Sequence, residues 1–299
     1  MIYTVTLNPS CDYYLDVDSF KEGIINRAKE ERIVAGGKGI NVSLVLNNLG
    51  KENIALGYIA GDTGKIFKDM IESMSLKSSF IQLPKGNTRI NVKIKSEKET
   101  DINAKGPSVD KDSKDKLFEK LKLLKEGDWL VLSGSLPRGC EDTFYAEILE
   151  MIAVKGVKTV VDACGGNLMN TLVHNPFLVK PNNFELEELF NVKIKDYDTL
   201  VLYAKKLKDK GAKNVLVSLG KDGALLLTDS GDEIYEEAPK GKVVDTNGAG
   251  DSMVAGFISC YEDTGDYKKS LHMALCTGSA TAFSKGLATY DDIMKLYER

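Results

Sequence analysis

The sequence is poor in the residues from which many active sites are made. It holds two histidines, His174 and His272, in 299 residues. Neither sits in the H-E-x-x-H spacing that lets two imidazoles share a zinc ion, so a proton acceptor in this chain is expected to be a carboxylate. The five cysteines, Cys11, Cys140, Cys164, Cys260 and Cys276, are scattered, odd in number and never spaced C-x-x-C. That excludes a zinc ribbon or a disulfide framework and points to reduced thiols in a cytoplasmic setting. No apolar run approaches the ~18 residues of a membrane span. The opening MIYTVTLNPS has no basic stretch before its apolar residues and reads as a strand rather than a secretory signal. A basic surface is missing too: the net charge is −4, with lysines and acids interleaved, so nucleic acid is not an expected partner. Neither the G-x-x-x-x-G-K-[ST] phosphate loop nor a G-x-G-x-x-G after the first strand is present, which removes a P-loop and a nicotinamide fingerprint. Internal repeats and low-complexity tracts are also lacking. What remains is an ordinary globular composition, 42% hydrophobic and 28% charged, over a length that buries a sizeable core.

Seven runs read as strands: IYTVTLN (2–8), NIALGYI (53–59), DWLVLSG (128–134), KTVVDA (158–163), PFLVKPN (176–182), KNVLVSL (213–219) and GALLLTD (223–229). Several are apolar throughout, as strands covered on both faces require. Helical stripes lie between them. Val42, Leu46 and Leu49 form one that stops at Gly50. Ile66, Met70, Ile71 and Met74 form a second, Leu117, Leu121 and Leu124 a third, and Leu200, Tyr203, Ala204 and Leu207 a fourth. This rhythm predicts one α/β domain over 1–299, with a mostly parallel sheet, helices on both sides and ligands at the carboxyl ends of strands. Two segments break it. In TRINVKIKSEKETDINAKG (88–106), Ile90, Val92 and Ile94 face one way and Arg89, Asn91, Lys93 and Lys95 the other, a strand with one wet face. CDYYLDVDSF (11–20) alternates through Tyr13, Leu15 and Val17. Residues 11–34 and 87–106 are expected to pair into a small sheet outside the main body, either a flap over a cleft or a plain antiparallel excursion. The apolar face of Ile90, Val92 and Ile94 needs cover, and a second copy's small sheet would supply it, making a homodimer.

Four glycine-rich or polar stretches follow strands. In DTNGAGDSMVAGF (245–257), Gly248, Ala249 and Gly250 leave backbone N–H groups bare, and Met253, Val254, Phe257 and Ile258 supply a helical stripe. A helix therefore begins near Gly250, and its unpartnered, partly positive N–H groups form an anion site. Asp251 in that mouth has two readings: a base for a hydroxyl attacking a bound phosphate, or a first-turn acid favoured by the helix dipole by ~0.3–1 kcal/mol. AGGKGINVSLVLNNLG (35–50) is a second glycine loop opening a helix. It is either a backbone nest at Gly36 and Gly37, with Lys38 and Asn41 as polar handles, or a tight packing loop. VKPNNFELEELF (179–190) sets Asn182 three residues before Glu185, which suits a hydrated Mg²⁺ and equally a helix capping box. VSLGKDGALLL (217–227) is a strand, a glycine turn and a strand, and LSGSLPRG (132–139) ends a strand in small residues near Arg138.

Taken in order along nearly the whole chain, NPSCDYYLDV, GGKGIN, SGSLPRG, KPNNFEL, VSLGKDGA and DTNGAGDSMVAGF resemble the ribokinase-like, pfkB-type carbohydrate kinases. Any one segment is weak; six in sequence are specific. Within the family, TLNP, NTRINVKI, ETDINAKGP and GSATAFS look most like the 1-phosphofructokinase branch, with tagatose-6-phosphate kinases as near neighbours. The resemblance implies a three-layer α/β sandwich with a β-sheet lid, ATP and Mg²⁺ as cofactors, and a sugar phosphate as substrate. It implies that Asp251 is the base and the backbone of Gly248, Ala249 and Gly250 the anion hole. Asp12, Gly36, Gly37, Lys38 and Asn41 would hold the sugar phosphate, with Ser133 beside them. Arg89, on the wet face of the lid strand, is the expected phosphate fork, assisted by Arg27 and Arg138. Lys180, Asn182 and Glu185 would lie near the nucleotide phosphates and a Mg²⁺ held through water, and Ser218, Leu219, Gly220, Lys221, Asp222 and Gly223 would line the ATP site. The reaction implied is transfer of the γ-phosphoryl of ATP to the 6-hydroxyl of fructose 1-phosphate. Its alternatives are the 1-hydroxyl of tagatose 6-phosphate and a non-catalytic sugar-phosphate sensor. One residue departs from the pattern: Cys11 precedes Asp12 where many relatives carry an aliphatic side chain.

Overall fold

The computed structural model describes residues 1–298. Its strands are β1 (Ile2–Thr6), β2 (Ser10–Asp16), β3 (Glu30–Gly36), β4 (Asn53–Ala60), β5 (Ile81–Leu83), β6 (Arg89–Lys95), β7 (Thr100–Ile102), β8 (Trp129–Ser133), β9 (Lys158–Asp162), β10 (Leu178–Val179), β11 (Asn214–Ser218), β12 (Ala224–Leu227) and β13 (Glu233–Glu236). Nine of them form one sheet in the order β13-β12-β11-β10-β9-β8-β1-β4-β5. From β5 to β11 every neighbouring pair is parallel, and β12 and β13 close the edge antiparallel. β10 shrinks to two residues because Lys180 and Pro181 follow it, and proline has no N–H for a ladder. β5 and β13 had no sequence signal: one is only three residues long, and the other reads Glu-Ile-Tyr-Glu on an edge.

The wholly apolar strands are explained by two cores, one on each face. Trp129 and Val131 of β8 pack into one, Leu130 and Leu132 into the other. Leu216 of β11 likewise parts from Val215 and Val217, as period-2 alternation demands. Helices Lys38–Asn48, Ala249–Thr264 and Tyr267–Ala282 cover the first face, and Lys111–Leu121, Phe144–Ile152 and Tyr197–Asp209 the second. Three layers result, and each fully buried large aliphatic side chain contributes about 1.5–3 kcal/mol. One stripe is off register: in Gly61–Ser73 and its C-cap Met74, Ile66 and Met74 are 46% and 36% exposed while Phe67 and Ile71 are fully buried. Cys11 packs among Ala35, Ile40, Ala55, Ile59 and Phe67, and burial pushes its thiol up to about 11. It serves there as a small apolar side chain. Among the described residues no helix is long and apolar enough to cross a membrane.

The remaining strands form a separate sheet in the order β3-β2-β6-β7, with β2 antiparallel to β3 and parallel to β6. Asp12 pairs with Asn91 in register, so the polar face carries both, and Asn91 is only 5% exposed. The apolar face is covered unevenly: Cys11, Ala35 and Ile94 are buried, while Ile33 and Ile90 are each 42% and Ile102 58% exposed. Alternation marks two faces of a strand but not which of them is covered.

Candidate active site

Two helices open on a glycine with no side-chain cap at the carboxyl edge of the main sheet: Gly37 precedes Lys38–Asn48 and Gly248 precedes Ala249–Thr264. Gly248 has φ 78°, the left-handed region that glycine enters without strain, and a Cβ there would also meet Leu287 Cδ2 at 2.7 Å. Asp251 follows in the first helical turn, 7% exposed. Its Oδ2 accepts a hydrogen bond from Asn41 Nδ2 at 2.7 Å, so the first glycine-opened helix orients the acid of the second. Asp162, at the end of β9, is 1% exposed, and its Oδ1 lies 3.1 Å from Lys38 Nζ and 3.5 Å from Lys180 Nζ. A Cβ on Gly250 would come within 3.2 Å of Lys180 Nζ. That ammonium therefore stands directly against the bare helix entrance, where it adds charge to the partial charge of the N–H groups.

The charges of this cluster are set apart by their surroundings. Burial, with Asp162 adding to it, pushes the Asp251 carboxyl up to about 6, although Lys38, Asn41 and Lys180 pull the other way. Burial also opposes the charge of Asp162, but Lys180 and Lys38 outweigh it and hold that carboxyl below its ordinary value. Lys38 is likewise desolvated, and Asp162, Asp251 and Glu185 more than restore its charge. One carboxylate is thus fixed as an anion between two ammonium groups and the other is poised to exchange a proton near neutrality, a division seen where acid–base chemistry is done.

The polar face of the small sheet supplies a second group. Asp12 Oδ1 accepts from Ser10 Oγ at 2.7 Å and Asn91 Nδ2 at 2.8 Å. Gly36 lies against the same carboxylate, since a Cβ there would sit 2.4 Å from Asp12 Oδ2. Arg89 Nε donates to Asn8 O at 3.1 Å and Nη1 to Ala104 O at 3.3 Å. Burial lowers the pKa of its guanidinium, with Asp12 opposing, and among the described residues it has no salt-bridged carboxylate. A half-buried cation held only by carbonyls keeps N–H donors free that an anion could engage.

Several other sequence-predicted residues are placed differently. Ser133 is fully buried with no hydrogen-bond partner for its Oγ, because it continues the inward face of β8; its hydroxyl does not line the cleft. Arg138 is exposed and grips Gly106 O through Nη2 at 2.8 Å and Nε at 3.2 Å, a clamp on the return from the small sheet rather than a ligand handle. Arg27 stands exposed on the β2–β3 connection, outside both clusters. Asn182 Oδ1 accepts from Glu185 N and Glu185 Oε2 from Asn182 N, both at 2.8 Å, closing a capping box. Glu185 Oε1 accepts from Cys164 Sγ at 3.0 Å and lies 3.9 Å from Lys38 Nζ. The capping box engages Asn182 Oδ1 and Glu185 Oε2, and among the described residues no group of three acids, histidines or cysteines could hold a metal. A Mg²⁺ that keeps its own waters, as this ion prefers, would find an acceptor in Glu185, beside the buried, unpartnered Oδ2 of Asp162. Asn182 bridges to Ser218, and Ser218 to Gly223 turn beside it through one exposed 3₁₀ turn, Gly220–Asp222. Asp162 itself was not foreseen; its only signal is an acid ending an apolar strand.

Comparison with known proteins gives this geometry a family. The model for pfkB family carbohydrate kinases matches residues 6–293. The chain is 40% identical to a 1-phosphofructokinase of Bacillus subtilis, over 99% of this chain and 97% of that enzyme. It is 38% identical to a D-tagatose-1-phosphate kinase of Bacillus licheniformis, over 99% and 96%. The crystal structure of Escherichia coli phosphofructokinase-2 with fructose 6-phosphate superposes with a TM-score of 0.92 at 29% identity, covering 99% of this chain and 98% of that one. A buried acid at a glycine-opened helix, two lysines on a strand-end carboxylate and a nearly full-length match agree: the chain belongs to the pfkB family of carbohydrate kinases.

Proposed function

We propose that this kinase transfers the γ-phosphoryl of ATP to the 6-hydroxyl of fructose 1-phosphate. The observation that carries the reading is the Asp251 carboxylate, buried, oriented by Asn41 and set beside bare helix N–H groups and the Lys180 ammonium. In this reading the γ-phosphoryl lies against the N–H groups that follow Gly248, with Lys38 and Lys180 facing its oxygens. Phosphoryl transfer passes through a loose transition state, so positioning and charge neutralisation carry most of the catalysis. Asp251 takes the proton of the attacking hydroxyl. When bound, Mg²⁺ neutralises the phosphate oxygens. The small sheet acts as a lid: Asp12 accepts from sugar hydroxyls, Arg89 receives the acceptor's own phosphate, and closure keeps out water, the competing acceptor.

A coupled assay with ATP and fructose 1-phosphate, tagatose 1-phosphate or tagatose 6-phosphate tests the reading. The two 1-phosphates differ only at C4, and the B. licheniformis relative is named for the tagatose one. Fructose 1-phosphate is expected to give the highest kcat/KM, with ADP release matching acceptor consumption. Preference for tagatose 6-phosphate, or sugar binding without ADP release, overturns it. Arg89→Ala should raise the KM of the sugar phosphate by roughly 10–100-fold, the worth of one or two charge-assisted hydrogen bonds, and barely change that of ATP. On the outer face of the lid, Ile33, Ile90 and Ile102 suit cover by a second copy; Ile90→Lys is expected to shift sedimentation towards the monomer.

A further inference from the structure

Asp245 opens the segment that leads into the anion loop, and its two carboxylate oxygens have different partners. Oδ1 accepts from Asn247 N at 3.0 Å, a turn closed one residue before Gly248. Oδ2 lies 3.3 Å from Lys95 Nζ, 150 residues away in sequence. Lys95 is the last residue of β6, on the polar face that also carries Arg89 and Asn91. The backbone N–H of Asp245 donates to Ala282 O at 3.2 Å, so the loop end of this pair is anchored to the body of the protein. The lid end is backed by Tyr14, whose ring centre is 5.8 Å from Lys95 Nζ. The Asp245 side chain is 14% exposed and that of Lys95 36%. A pair this open adds about 0–1 kcal/mol to stability; what distinguishes it is the two parts it joins.

We propose that Lys95 is a positioning residue for phosphoryl transfer: through Asp245 it ties the lid to the turn that shapes the anion loop, so that closing the lid and forming the phosphoryl pocket are one event. The inference rests on the ATP-transfer reading above. Without the tie, the amides, both lysines and Asp251 remain, but lid and loop move separately and water enters. Water then attacks the γ-phosphorus, the bond to the β-phosphate oxygen breaks, and ADP and inorganic phosphate leave in place of a phosphorylated sugar.

The test measures sugar-dependent transfer, ATP hydrolysis without sugar, and the thermal midpoint in the wild type, Lys95→Met, Asp245→Asn, the double variant and Lys95→Arg. Asn at 245 still offers a carbonyl oxygen to the 247 N–H, so that variant removes the ion pair and keeps the turn. Each single variant is expected to raise the ratio of hydrolysis to transfer about tenfold, the signature of lost water exclusion, with the thermal midpoint nearly unchanged. The double variant should be no worse than the worse single one, and Lys95→Arg should restore most of the wild-type ratio. An unchanged ratio in the single variants, or losses that multiply in the double, overturns the proposal while wild-type transfer leaves the kinase reading intact. Absence of transfer in the wild type would instead remove that reading and this inference together.

Discussion

Helices Ala249–Thr264 and Tyr267–Ala282 lie side by side on the same face of the sheet, and they begin in opposite ways. The second starts at Asp266, half-buried, whose Oδ1 accepts from Lys269 N at 3.0 Å. The helices at Lys111, Tyr197 and Tyr290 are capped in the same fashion, by Asp110, Asp196 and Thr289. The first helix starts at a left-handed glycine with no side-chain cap, and its acid lies inside, with a carboxyl that burial pushes up to about 6. A cap satisfies donors on the spot. An open glycine start leaves them free for something that arrives, and the buried acid beside them is held at a cost in stability. The start at Gly248 differs from the other helix starts in joining a left-handed glycine to a buried first-turn acid.

That contrast can be broken or sharpened by substitution. Asp251→Asn should lower kcat by about 10²–10⁴-fold, the usual worth of a general base, while the KM for ATP stays near its starting value. Gly250→Ala should lower kcat/KM for ATP about tenfold, because the new methyl, 3.2 Å from Lys180 Nζ, displaces the ammonium from the helix mouth. In Asp251→Asn stability should move the other way. The folded-state pKa of Asp251 is raised above that of the unfolded chain. Its favourable contribution is therefore present below about pH 4 and lost as pH rises through about 6. Asp251→Asn is accordingly expected to resist urea better than the wild type at neutral pH, by on the order of 2–3 kcal/mol, and to match it near pH 4. Asp266→Ala is the smallest effect and the reciprocal one: about 1 kcal/mol of stability lost with transfer unchanged. Asp251→Asn weaker than the wild type in urea at neutral pH would mean that its carboxylate is an ordinary structural anion.

The main sheet was legible because its strands are covered on both faces and so carry unbroken apolar runs; Trp129 to Leu132 feed two cores in alternation. Legibility ended at the edges, where Glu233 to Glu236 look like surface, and in sidedness, where the alternation of Arg89 to Lys95 gave two faces but not the covered one. Around the cleft, glycine spacing announced both glycine-opened helix starts. It did not announce Asp162, since a single acid at a strand end makes no pattern until Lys38 and Lys180 arrive from other elements. The bond from Asn41 to Asp251 spans 210 residues, and the tie from Lys95 to Asp245 spans 150. Such pairs belong to topology rather than to any local window. Asn182 and Glu185 carried both readings in one motif; the structure forms the capping box, which leaves Glu185 able to accept from a hydrated ion as well.

The most direct test of Asp251 as the proton acceptor is the pH dependence of single-turnover phosphoryl transfer at saturating ATP and sugar phosphate, in the wild type and in Asp251→Asn. The wild-type rate should fall about tenfold per pH unit below an apparent pKa near 6, where the carboxyl becomes protonated. The residual rate of the variant should lack that limb. Phosphate groups of the substrates also titrate near pH 6, and the variant separates the two sources because it shares the substrates but not the carboxyl. An acid limb of the same position and slope in both proteins would contradict the account.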